Sequence, residues 1–169
     1  MKIGLILIMF FAYMNPIAES ELIKIRNLYE QAAVDEAAHL KLNKLLEVKK
    51  DESPLFLGYK GAGIMIGANY AFNPISKLNK FNKGKKLIEQ AIARQPKNLE
   101  LRYLRFTIQT NLPKFLGYSA AIKADKEFVI NQLTITQDVD LRDRIVAYLI
   151  FSKSCNADEL KKVMVWKNK

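Results

Sequence analysis

One cysteine and one histidine are all that this chain of 169 residues holds of the two commonest metal-ligating and redox side chains. A lone Cys155 closes no intrachain disulfide and builds no cysteine zinc site, and a lone His39 excludes histidine-rich metal sites. Breakers are scarce too: seven Gly, mostly clustered, and five Pro leave too few turn markers for many short strands, which argues against an all-β fold. No Gly-x-Ser-x-Gly, phosphate-binding loop or His-Glu-x-x-His occurs, so no common catalytic or nucleotide-binding motif is available. No Asn lies in an Asn-x-Ser/Thr sequon, which disfavours a glycosylated eukaryotic secreted protein.

Acidic residues are in the minority, 17 against 27 Lys and Arg, for a net charge of +10. That balance favours anionic partners, whether lipid headgroups, acidic proteins, anionic polysaccharide or nucleic acid, and does not choose among them. Half the residues are hydrophobic, enough for one globular domain with a sizeable core.

The N-terminus reads as a secretory leader. Lys2 is a short positive n-region, Ile3 to Met14 an apolar run, Asn15-Pro16 a break, and Ala18-Glu19-Ser20 supplies small residues for a cut after Ser20, with a cut after Ala18 as the rival. The run is short for a membrane span. Loss of residues 1–20 removes Lys2 and Glu19, so the remainder, residues 21–169, keeps the same net charge. With no Cys at the cut and no sequons, a bacterial periplasmic location is expected, and export argues against nucleic acid as the partner.

Beyond the leader the periodicity is helical almost to the end, and the expected fold is all-α, about eight helices packed as antiparallel hairpins. Leu22, Ile25, Leu28, Tyr29 and Ala32 share one face. A second helix is expected over Val34 to Val48. Ser53-Pro54 marks a helix start by capping and by Pro at the first turn, and the helix is expected to run to Phe72. Its small residues (Gly58, Gly61, Ala62, Gly63, Gly67, Ala68, Ala71) imply close approach of neighbouring backbones and a central place in the bundle. Gly61 to Ser76 carries no charge but is too short to span a bilayer. Further helices are expected over Lys77 to Arg94, Asn98 to Thr110, Pro113 to Leu133, Leu141 to Phe151 and Ala157 to Trp166, the last opened by an Asn156–Glu159 capping box.

Two segments match at five of six positions, Pro54-Leu55-Phe56-Leu57-Gly58-Tyr59 and Pro113-Lys114-Phe115-Leu116-Gly117-Tyr118, at an offset of 59 residues. Each is expected to open a helix, and the repeat suggests stacked helical hairpins. It also makes Tyr59 and Tyr118 candidates for equivalent positions in a groove.

Phe81-x-x-Gly84-x-x-x-Ile88-x-x-Ala91-x-x-x-x-Pro96 has the aromatic, small, large, small and Pro spacing of the second helix of a tetratricopeptide repeat. The chain therefore resembles a tetratricopeptide-like protein of degenerate repeat. The resemblance implies a right-handed superhelix or compact bundle of hairpins and a protein- or peptide-binding scaffold, with no enzyme activity, cofactor or metal.

Among polar constellations, Asn98, Arg102, Arg105 and Gln109 make a stripe on one helix face, and paired Arg can fork onto carboxylate or phosphate. Arg102, Arg105 and Gln109 are the best candidates for a ligand-facing surface. Lys77, Lys80, Lys83, Lys85 and Lys86, interleaved with Leu78 and Phe81, give the competing expectation, a peripheral protein resting on an anionic membrane. Asp138, Asp140 and Asp143 read as helix-start acids, because no Gly or following Glu completes a calcium loop. Cys155 precedes a helix start, a position that lowers a thiol pKa.

Overall fold

The computed structural model describes residues 16–48 and 53–167; the apolar run of the expected leader and residues 49–52 lie outside them. The described residues are all-α. Eight helices follow one another: α1 (Pro16–Ala32), α2 (Glu36–Val48), α3 (Pro54–Ile66), α4 (Pro74–Arg94), α5 (Leu99–Asn111), α6 (Ile122–Gln132), α7 (Val139–Phe151) and α8 (Ala157–Met164). Both expected cut positions fall within the first turns of α1.

Consecutive helices pair as hairpins: α1 with α2, α3 with α4, α5 with α6, α7 with α8. The odd-numbered helices also pack on one another in order, α1 on α3, α3 on α5, α5 on α7. The α3–α4 crossing shows what the small residues of α3 are for. A Cβ on Gly61 would stand 2.7 Å from the carbonyl oxygen of Gly84, and a Cβ on Gly84 would collide with Met65 and the carbonyl of Gly61. Each Gly costs about 1 kcal/mol in a helix interior relative to Ala, and the close backbone contact offsets it.

Two apolar cores result. Ile25, Leu42, Ala62, Ile88, Ala91, Leu101 and Leu104 belong to the first, Phe106, Val129, Leu133, Ile145, Leu149 and Val163 to the second. α5 serves both: Leu101, Leu104 and Ile108 point into the first, Tyr103 and Phe106 into the second. The central position expected of α3 holds for the first core, and α5 is the helix that joins the two.

Several expected boundaries move. α3 stops at Ile66, with Gly67 to Asn73 as a connection, and α4 begins at Pro74 because Asn73 caps it by accepting from Ser76 N–H. Ser53 stands at the N-cap of α3 but its side chain makes no capping bond, so Pro54 carries that start. The long helix expected from Pro113 to Leu133 is not formed. Pro113 opens a single 3-10 turn, Lys114–Leu116, which Gly117 ends in the left-handed region at φ 63°, and α6 starts only at Ile122. The capping box opening α8 is present, Asn156 accepting from Glu159 N–H and Glu159 from Asn156 N–H.

Candidate functional site

Arg102 and Arg105 face a carboxylate of the chain itself. Both guanidinium groups clamp Asp125 of α6, which is fully buried: Arg105 Nε donates to Oδ2 at 2.6 Å, and Arg102 Nε donates to Oδ1. Arg105 also bonds Glu89 of α4 at 2.7 Å. Burial works against the charge of Arg105, and the hydrogen bonds and charges of Asp125 and Glu89 together outweigh it, holding the pKa above its ordinary value. Gln109 is buried, with Oε1 unpartnered. The two arginines form an internal α4–α5–α6 tie.

Tyr59 and Tyr118 are equivalent in chemistry, though not as groove-lining residues. Each ring is buried and each hydroxyl donates to a glutamate at 2.6 Å, Tyr59 to Glu100 and Tyr118 to Glu89. Each glutamate also accepts from an Arg, Glu100 from Arg26 and Glu89 from Arg105. The six-residue repeat thus delivers a Tyr–Glu–Arg chain twice, from a helix at Tyr59 and from a loop at Tyr118.

The largest ionic cluster escaped the sequence reading. Arg26 of α1 donates from Nε and Nη2 to Glu100 of α5, both at 2.7 Å, and reaches Asp138 and Asp140 at the start of α7 at 2.7 and 2.8 Å. Burial works against the guanidinium charge, and the bonds to Glu100, Asp138 and Asp140 outweigh it and raise its pKa. Arg144 of α7 answers from the other side, bonding Glu30 and Asn27 of α1 at 2.6 and 2.5 Å. Asp138 also caps α7, accepting from Leu141 N–H, as a helix-start acid should.

Smaller candidates resolve similarly. His39 lies buried between α2 and α3, Nε2 3.0 Å from the carbonyl oxygen of Gly63, its ring beside Tyr70. Burial pushes the Cys155 thiol up instead of down, so the helix-start effect does not prevail. Among the described residues no cluster of three His, Cys, Asp or Glu could hold a metal, and no helix is long and apolar enough to cross a membrane. Lys77, Lys83 and Lys86 stand exposed on α4, Lys80 is half-buried, and Lys85 lies over the ring of Tyr118 at 4.9 Å.

The main cavity, about 890 Å³, opens on the opposite set of helices. Its lining comes only from α1, α3, α5, α7 and the residues just after them: Tyr29, Met65 and Ile66, Tyr103 and Ile108, Ala147 and Tyr148 form the apolar part. The polar atoms on its floor are already engaged. Tyr29 Oη lies 2.9 Å from Thr107 Oγ1, and Tyr148 Oη 2.6 Å from Thr110 Oγ1 and 2.8 Å from Asn111 Nδ2. Burial pushes the phenols of Tyr29, Tyr103 and Tyr148 up, so they stay protonated and neutral. At the rim, Val34 and Phe151 are 90% and 82% exposed. Glu30, Asp140 and Asp143 stand around the mouth with Arg144, which pairs with Glu30 and Asp140, while Arg26 reaches Asp140 and Arg142 lies 3.5 Å from Asp143. Such a floor holds apolar groups by burial, and the mouth favours positive charge.

Comparison with known proteins returned no match: no family model fits the chain, and neither the curated proteins nor the solved structures hold one similar to it.

Proposed function

We propose that this protein is an exported, periplasmic scaffold without catalytic activity, whose groove receives an apolar, basic peptide segment of a partner protein. One observation carries the reading: the cavity is walled solely by the stacked odd-numbered helices and the segments that follow them. One helix of each hairpin faces the groove and one lies outside it, and stacked helical hairpins recognise partners along such a surface. The volume lies within the range of roughly 300–1,000 Å³ common to binding clefts. The ionic cluster beside the groove sets four carboxylates, Glu30, Glu100, Asp138 and Asp140, against two guanidinium groups, Arg26 and Arg144, and that excess favours a basic segment there. The leader-like pattern of residues 1–20, a positive charge, an apolar run and small residues, supports export.

A photo-crosslinking side chain at Phe151, in cells that make the protein, tests this. The expected result is one discrete adduct that disappears when Ala147→Trp fills the groove. Ala147 is exposed, so that change leaves the core alone. An adduct of equal yield in the filled variant, or none in either, would overturn the proposal.

A further inference from the structure

From Ser53 to Ile88 the chain holds six Lys (Lys60, Lys77, Lys80, Lys83, Lys85 and Lys86) and no Asp or Glu. Among the described residues no carboxylate lies within ion-pair distance of Lys77, Lys80, Lys83 or Lys86. In the same stretch three large apolar side chains point into solvent. Phe72, in the α3–α4 connection, is fully exposed, and Ile75 and Leu78, on the first turns of α4, are 75% and 50% exposed. Their placement is built. Asn73 caps α4 by its bond from Ser76 N–H, Pro74 fixes the first turn, and the connection is held by the bonds Ala68 N–H to Met65 O and Asn69 N–H to Ile66 O. At about 100° per residue, Phe81, Gly84, Ile88 and Ala91 face α3 while Ile75, Asn79, Asn82, Lys83 and Lys86 turn outward. None of these outward residues lines the groove.

We propose that this tip of the α3–α4 hairpin docks on an anionic lipid bilayer. Phe72, Ile75 and Leu78 enter the interface between headgroups and acyl chains, and Lys83 and Lys86, on the outward side of α4, lie against the lipid phosphates. An apolar wedge beside lysines matches the layering of a bilayer surface, apolar below and anionic above. A soluble polyanion offers charge but no place for Phe72. The site leaves the groove open, so the protein can hold its partner while resting on a membrane.

The test is flotation of the protein, purified from the cells that produce it, with vesicles of phosphatidylglycerol and phosphatidylcholine, against phosphatidylcholine alone. Binding is expected only with the anionic lipid, falling as salt rises. Lys83→Gln and Lys86→Gln should each lower the partition coefficient about five-fold at low salt. Phe72→Ser with Ile75→Ser should lower it at every salt concentration. A tryptophan placed by Phe72→Trp, with Trp166→Phe to remove the native indole, should be quenched by lipids carrying bromine on their acyl chains. Vesicle binding indifferent to Phe72 and Ile75, an unquenched indole, or equal binding to heparin with the same lysine dependence would each overturn the proposal, the last in favour of a soluble polyanion.

Discussion

Arg26 and Glu100 lie 74 residues apart in sequence and meet as a two-pronged pair, Nε to Oε1 and Nη2 to Oε2, with side chains only 3% and 6% exposed. Through this pair α1 is keyed to α5, and the remaining donors of Arg26 reach the start of α7. Three of the helices that wall the groove are thereby held in register by one guanidinium.

Arg26→Met should therefore destabilise the fold by about 3–5 kcal/mol, because it leaves Glu100 buried without its cation. The double change Arg26→Met with Glu100→Leu should recover much of that loss. Urea unfolding of the three proteins checks it; a loss under about 1 kcal/mol in the single variant would show that the pair is dispensable.

Acid should loosen the same junction. Burial works against the Asp138 charge, but the bonds from Arg26 and from Leu141 N–H hold its carboxyl below the usual range; Asp140 is lowered chiefly by Arg144. A carboxyl depressed in the fold contributes stability that is complete above its unfolded pKa of about 4 and is lost as pH falls through the folded value. Melting temperature should hold steady from neutrality to mild acid and then fall. Asp138→Asn should start lower at neutral pH and fall less steeply, which a series of thermal melts will show.

At the α3–α4 crossing, Gly84→Ala should cost about 1–3 kcal/mol despite the better helix propensity of Ala, since the added methyl meets Met65 and the carbonyl of Gly61. Asn82→Ala, on the exposed side of the same helix, should be neutral or slightly stabilising. Equal stability for the Gly84 variant would mean that the two backbones are not held this close.

Asp125→Asn should also be costly, because it leaves two part-buried guanidinium groups sharing one neutral amide. A destabilisation of about 3 kcal/mol or more is expected in chemical denaturation. If stability were unchanged while binding to an anionic ligand appeared, the Arg102–Arg105 stripe would regain its place as a recognition surface.

How far these features were legible in the sequence depends on their range. The buried face of α4 (Phe81, Gly84, Ile88, Ala91) shows directly as a period, and the Asn156–Glu159 box is a local signal four residues long. Periodicity also put Arg102 and Arg105 on one face, but it could not say that Asp125 from another helix occupies the space before them. Arg26 gave no signal at all, because its partners lie 74 to 114 residues away. The repeat at Pro113 misled in a different way: six similar residues adopt helix where Gly58 lies against Leu101, and a single turn where Gly117 has open space beside it. The groove gathers residues from Tyr29 to Phe151, and no local pattern records that assembly.

The occupancy of that groove is best read from methyl NMR spectra. Ile66, Ile108 and Ala147 should shift when a peptide from the partner captured at Phe151 is added, while Leu160 on α8 should not. Shifts confined to Ile75 and Leu78, or spread over α2 and α8 with the groove methyls unmoved, would contradict binding between the odd-numbered helices.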